Sequence, residues 1–164
     1  EFSRPPKLKM QPVSPSQIVD QALQLLSHRL KSYDVTVSVR RKDPLPDIYG
    51  DPEQLKEVFV NIIVNACEAM RHGGEIVIGE ERGSVKPTRA VAVIQLSDNG
   101  PGIPEELREK VFQPFFTTKE DGTGLGLSIA ARIIEEHRGR LDVLSREGGG
   151  TTFIITVPLL EDLP

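Results

Sequence analysis

Apolar residues recur along this chain with two different periods, and the switches between them predict its elements. Leu8, Met10 and Val13 suggest a short edge strand ended by Pro12 and Pro15. Ile18, Val19, Ala22, Leu25, Leu26 and Leu30 then fall at helical spacing behind Ser16, read here as the N-cap. Val35, Val37 and Val39 alternate with polar residues, as a half-buried strand does, and residues 43–50 read as a proline-marked loop. Asp51-Pro52 places a capping side chain before a proline at the first helical position, predicting a helix to about Met70, stopped by Gly73-Gly74. Residues 75–80 and 89–97 are strand-like, joined by a loop holding Gly83 and Pro87. A polar stretch rich in glycine and proline spans residues 100–124, with a short helical piece near 105–112. Residues 125–137 form a helix stopped by Gly139, and residues 141–145 and 152–157 form two strands around Gly148-Gly149-Gly150. The interleaving predicts an α/β (α+β) two-layer sandwich, a mixed β-sheet packed on one face by about three helices.

Composition narrows the class. The 164 residues fit one domain able to bury a core without disulfides. A single cysteine, Cys67 in an apolar helical run, excludes an internal disulfide and a cysteine-rich metal site and fits a reducing compartment. The net charge of −4 gives no electrostatic case for binding nucleic acid. No apolar run reaches the roughly 18–20 residues of a membrane span and no signal peptide opens the chain, so direct membrane contact is not expected and the location is read as cytoplasmic. Residues 1–6 are a linker by composition.

Three stretches carry candidate chemistry. On the helix beginning at Asp51, Glu57, Asn61, Asn65 and Glu68 fall within a stripe roughly 80° wide, at about 100° per residue, on an otherwise apolar cylinder. Such a stripe faces a polar network, solvent, or a cation with its phosphates; magnesium takes few protein oxygens and completes its shell with phosphate. The apolar run 91–96 leads into Asp98-Asn-Gly100-Pro-Gly102, which is turn chemistry, or a carboxylate accepting from a base amine with glycines letting the backbone approach the ring. Gly122-Thr123-Gly124-Leu125-Gly126-Leu127 ahead of a helix reads as a hinge or as a cradle of N–H groups for phosphate oxygens. It is neither a G-x-x-x-x-G-K-[ST] loop nor a G-x-G-x-x-G dinucleotide fingerprint. Between these lies Phe112-Gln-Pro-Phe115-Phe116-Thr-Thr-Lys119, either a hydrophobic pin for the loop or the anchor of a segment closing over a ligand. Together the pieces read as a site for a magnesium–nucleotide complex.

The order of these pieces resembles the N, G1, F and G2 boxes of sensor histidine kinases, and Gly150-Thr151-Thr152-Phe153 is similar to the final Gly-Thr-x-Phe element of the same ATPase family. That family also includes gyrase-type ATPases, 90-kDa heat-shock chaperones and mismatch-repair ATPases. The Leu-Gly-Leu-Ser and Phe-Phe-Thr-Thr-Lys elements resemble the kinase branch, in the group related to nitrogen- and oxygen-responsive sensors. The resemblance covers residues 8–158 and implies the Bergerat ATP-binding fold with an ATP lid, and ATP and Mg²⁺ as ligands. By the same resemblance Asn61 and Asn65 organise Mg²⁺ and the phosphates, with Asn61 the first candidate as metal ligand. Asp98 takes the adenine amine, with Gly100 and Gly102 shaping the pocket. Residues 103–123 form the lid, where Ile103 and Phe112 border the nucleotide and Lys119 nears the γ-phosphate. The main chain of residues 122–127 cradles phosphates, and Thr151 or Thr152 lies near the base through water. Glu57 matches the general base of the hydrolysing relatives, and in a kinase it orders the metal's water shell instead.

The resemblance further implies a catalytic domain over residues 7–164 that transfers the γ-phosphate to a histidine on a dimerisation domain, for relay to the aspartate of a response-regulator receiver domain. Two departures accompany it. His28, His72 and His137 stand in no phosphoacceptor motif and are read as surface or loop residues, so residues 1–6 look like the exit from a missing dimerisation domain. The isolated piece is then expected to be a monomer and its parent a homodimer. Glu68 stands where many relatives carry a basic residue, leaving Arg71 or Lys119 to compensate. Two rivals remain: an ATP hydrolase using Glu57 as base, and a nucleotide-gated docking module without transfer.

Overall fold

Alternation along the strands gives one sheet a face of buried aliphatic side chains, and the helices cover that face. The computed structural model describes residues 7–116 and 126–162. Its elements run β1 (Gln11–Val13), α1 (Pro15–Leu25), α2 (Ser27–Ser32), β2 (Val35–Arg41), β3 (Ile48–Gly50), α3 (Pro52–Ala69), β4 (Gly74–Lys86), β5 (Arg89–Asp98), α4 (Gly126–Glu136), β6 (Arg140–Ser145) and β7 (Thr151–Pro158). Five strands form the main sheet in the order β2-β4-β5-β7-β6, and β1 and β3 form a separate antiparallel pair. Only β2 and β4 run parallel, so the sheet is mixed as expected. Its buried face carries Ile76 and Ile78 on β4, Ala92, Ile94 and Leu96 on β5, and Phe153, Ile155 and Val157 on β7. Against them α3 buries Leu55, Val58, Phe59, Ile62, Ile63, Ala66 and Cys67, and α4 buries Ala130, Ile133 and Ile134. Each fully buried Leu, Ile or Phe stabilises this layer by roughly 1.5–3 kcal/mol.

Several expectations are corrected. Pro12 lies inside β1 rather than ending it, because the strand pairs only with β3 across Pro12↔Tyr49 and needs no full ladder. Strand β3 falls where a loop was expected. The first helix is capped by Ser14, whose side chain accepts from the Gln17 N–H, with Pro15 in the first turn. Ser16 instead donates from its hydroxyl to the buried Glu80 carboxylate, which also takes Arg41 Nε at 2.9 Å. That helix breaks at Leu26 into α1 and α2, giving four α-helices among the described residues instead of about three. Strand β4 continues through Gly83 to Lys86, where a loop was expected. Residues 105–107 make only a short 3-10 turn.

The start of α3 matters most for the site. Asp51 Oδ1 accepts the Glu53 and Gln54 N–H groups at 3.0 and 3.2 Å, and Oδ2 accepts the Lys9 N–H at 2.9 Å. Burial works against this carboxylate, but the Lys9, Gln54 and Glu53 amides outweigh it and hold it below its ordinary value. A depressed carboxyl adds stability that is complete above the unfolded value near pH 4 and fades as pH falls through the folded one. Asp51→Ala is therefore expected to cost about 1–3 kcal/mol at neutral pH. Urea unfolding of both proteins across pH 2–7 should show the two stabilities converging at the acid end.

Candidate functional site

Strand β5 ends at Asp98 on the helix-facing side of the sheet, across from Ile76 of β4 and Thr151 of β7. The half-buried carboxylate is fixed by its own turn, with Oδ1 accepting the Gly100 N–H at 2.9 Å. Desolvation pushes its carboxyl above the ordinary value, and the Gly100 and Thr151 N–H groups offset this only partly. Such a group gains from a further donor, as an exocyclic amine would supply. Of the two threonines expected near the base, Thr151 shares this face and is buried, whereas Thr152 pairs with Ser97 on the opposite face through hydroxyls 2.8 Å apart.

The turn after Asp98 is held by close backbone packing against the β6–β7 hairpin. Gly102 has φ +79°, and a Cβ there would lie 2.0 Å from the Arg146 carbonyl oxygen. Gly150 has φ +83°, and a Cβ would come within 2.2 Å of the Asp98 carbonyl oxygen. Only glycine fits either position. Ser145, which the sequence did not single out, ties the pieces together. Its hydroxyl accepts the Ile103 N–H at 2.6 Å and lies 3.0 Å from the Gly150 carbonyl oxygen and 2.9 Å from the Thr151 hydroxyl. Asn99 anchors the other side, its Oδ1 accepting the Glu75 N–H at 2.8 Å.

The polar stripe of α3 forms as expected, with Glu57 exposed and Asn61, Asn65 and Glu68 half-buried. Asn61 points at the start of α4, where its Nδ2 donates to the Gly126 carbonyl at 3.2 Å. That leaves the Asn61 carbonyl oxygen as an acceptor. Among the described residues no three His, Cys, Asp or Glu side chains gather to hold a metal by themselves. Neutral carboxamide oxygens on a helix suit a hard cation that brings its own phosphate ligands, so the donor set fits nucleotide-borne Mg²⁺. Gly100 reaches α3 at its other end, where its Cβ position lies 3.1 Å from Met70 Cγ.

The segment expected as a lid is anchored at its base. Val111 is buried, and the Phe112 ring meets Phe153 edge-on at 6.3 Å between centroids. Of the other aromatics, Phe115 is 74% exposed with φ 68°, so the three do not form one cluster. Leu127 packs against the core on the first turn of α4. Lys119, Gly122, Thr123, Gly124 and Leu125 lie outside the described residues.

His137, expected at the surface, is instead 4% exposed. It falls on the same helical face as Ala130, Ile133 and Ile134, a periodicity that could have located it. Past it, Arg138 rather than Gly139 takes the left-handed position, with φ 61°, and the Gly139 N–H closes the helix on the Ile134 carbonyl at 2.9 Å.

Fold and site together define a class: a two-layer sandwich in which Asn61 of α3 meets the start of α4 and Asp98 closes the end of β5 beside β7. A model of the histidine kinase-, DNA gyrase B- and HSP90-like ATPases matches residues 50–161, and the chain belongs to that family. It is 36% identical over 160 residues to the sensor histidine kinase ZraS of Escherichia coli K12, covering 97% of this chain and 33% of the relative. It is 40% identical over 148 residues to sporulation kinase E of Bacillus subtilis 168, covering 90% of this chain and 19% of the relative. The chain thus spans a third or less of these two curated relatives. Among solved structures it is similar to a nucleotide-free catalytic domain of histidine kinase ThkA, with TM-score 0.78 and 32% identity, covering 92% of this chain and 97% of that one. It also matches histidine kinase ThkA in complex with response regulator protein TrrA, with TM-score 0.77 and 30% identity, covering 95% of this chain and 44% of that one. No helix among the described residues is long and apolar enough to cross a membrane.

Proposed function

We propose that this chain binds Mg-ATP and transfers its γ-phosphoryl group to a histidine imidazole on a separate dimerisation domain, from which a response-regulator aspartate receives it. The observation that carries the reading is the half-buried Asp98 carboxylate at the end of β5, fixed by its own turn and facing the helix layer. It accepts from the adenine amine, while Gly100 and Gly102 keep the backbone low beside the ring. Asn61 holds the start of α4 with its amide and offers its carbonyl to the cation, and Asn65 extends the same stripe. Bound Mg²⁺ supplies charge neutralisation of the phosphates. The first N–H groups of α4 and the glycine-rich stretch before it orient phosphate oxygens, and Lys119 provides lid charge. Phosphoryl transfer asks the protein mainly for such positioning and electrostatics.

Asn61→Ala is expected to weaken Mg-ATP binding at least about tenfold, the scale of one lost charge-assisted contact, while leaving metal-free adenosine binding unchanged. Titration calorimetry with and without magnesium checks this. Glu57, exposed one turn before Asn61, is assigned to the metal's water shell. Glu57→Gln separates this reading from a hydrolase: loss of a robust ATP turnover by the chain alone would favour hydrolysis, and its absence in the wild type favours transfer.

A further inference from the structure

The geometry points to His137 as a positioning residue for the nucleotide site, tying α4 to the capped start of α3 and so fixing how the two helices slide past each other. The inference rests on the assignment of phosphate binding to the facing surfaces of α3 and α4. The His137 Nδ1 lies 2.7 Å from the Ile133 carbonyl oxygen, one turn back in its own helix. Only a protonated Nδ1 can donate there, which leaves Nε2 with a lone pair. That lone pair accepts the Asp51 backbone N–H at 3.0 Å, a buried bond between the end of one helix and the N-cap of the other. The fit is close: a Cβ at Gly50 would lie 2.6 Å from Leu55 Cδ1, 3.0 Å from His137 Cδ2 and 3.2 Å from Nε2. The same Asp51 whose amide is held by the imidazole caps α3 with its carboxylate.

Another polar link between these helices runs from Asn61, midway along α3, to the Gly126 carbonyl at the start of α4. At the helical rise, Asp51 and Asn61 lie roughly 15 Å apart along α3, and Gly126 and His137 roughly 16 Å apart along α4. The helices are therefore antiparallel, with His137 at the start of α3 and Asn61 midway along it as two polar links, and with Val58, Ile62, Ala130, Ile133 and Ile134 all buried in the core they share. Apolar contacts are tolerant of small slides, whereas a buried hydrogen bond is directional and costly to leave unmade. Releasing the His137 latch lets α4 shift along α3, and the shift appears at Asn61 and the first turn of α4. Asp98, Thr151 and the adenine side of the site stand on β5 and β7 and do not depend on it.

The test compares Mg-ATP with adenosine, titrated separately into the 164-residue chain and followed by nuclear magnetic resonance. His137→Phe keeps a ring of similar size but offers no acceptor to the Asp51 N–H. His137→Gln places a carboxamide oxygen near the position of Nε2. The Phe variant should lower the ratio of Mg-ATP to adenosine affinity about tenfold, with adenosine affinity unchanged, and the Gln variant should recover most of it. If the Phe variant does not melt cooperatively, His137→Leu, which also offers no acceptor to the Asp51 N–H, carries the same expectation. A folded Phe or Leu variant that keeps the wild-type ratio overturns the inference, as does a Gln variant no better than Phe. A wild type that gains nothing from the magnesium triphosphate overturns the nucleotide assignment itself, and that outcome is distinct because no variant is involved.

Discussion

Asp98→Asn is expected to lower Mg-ATP affinity at least about 100-fold, near 2.7 kcal/mol, while leaving the unliganded fold as stable as wild type or more so. The two halves have one cause. The Asp98 carboxyl is pushed up by burial, so its charged form is a cost that the fold carries at neutral pH. For a raised carboxyl the sign of the linkage is reversed relative to Asp51: the penalty is present above the folded value and vanishes as pH falls through it. Asparagine removes the charge and can still accept the Gly100 N–H through its oxygen. It then turns an NH₂ toward the ligand amine, so a donor meets a donor. Calorimetric titration paired with thermal melts at pH 7 reads both effects. The stability difference should shrink on acidification, as wild type also becomes neutral at this position.

Gly150→Ala, like Gly102→Ala, should be among the most damaging single methyls in the site, costing about 2–4 kcal/mol and most of the nucleotide affinity. Two terms combine there, a left-handed backbone with φ +83° and a methyl carbon 2.2 Å from the Asp98 carbonyl oxygen. Gly148 separates them, since its φ is +78° but a Cβ there meets nothing within 4 Å. Gly148→Ala should therefore show the backbone term alone, about 1 kcal/mol, with binding intact. The difference between the two variants measures the cost of moving the β5 end away from the hairpin. Chemical denaturation gives the stabilities, and the titration used for Asp98 gives the binding.

The pairing of β3 with β1 and the break between α1 and α2 were the least legible features in the sequence. Helix α3 announced itself through Asp51-Pro52 and an apolar pattern, and β5 and β7 through runs of Val, Ile and Thr. Applying the Asp51-Pro52 logic to Ser14-Pro15 would have given the correct first cap, since proline in the first turn marks the residue before it. Strand β3 has no periodicity to read: its three residues follow a proline-rich loop and pair with the distant β1 and, at Ile48, with Leu159. The break at Leu26 is equally silent, because the apolar positions keep helical spacing across it.

Within the candidate site, residue types and order singled out Asn61, Asp98, Gly100 and Gly102; the structure puts Asn61 on α3 against the start of α4, and Asp98 with the two glycines at the end of β5. What could not be read was the scaffolding. Ser145 acts on the Asp98 turn only because β6 lies beside β7, a fact of register rather than of spacing. Thr151 and Thr152 are adjacent in sequence and face opposite sides of the sheet, which only the pairing with Asp98 and Ser97 decides. His137 carried a signal that was passed over, its place on the apolar face of α4.

The most direct measurement mixes this chain with Mg-ATP labelled in its γ-phosphate and a separately prepared, histidine-bearing dimerisation domain, then follows label on the acceptor. The account predicts label on that domain that is stable to base and lost in acid, as a phosphoramidate on imidazole is. It should disappear when the acceptor histidine is replaced and fall sharply with Asn61→Ala and Asp98→Asn. Free phosphate released as fast without the acceptor as with it, and no label on histidine, would contradict it.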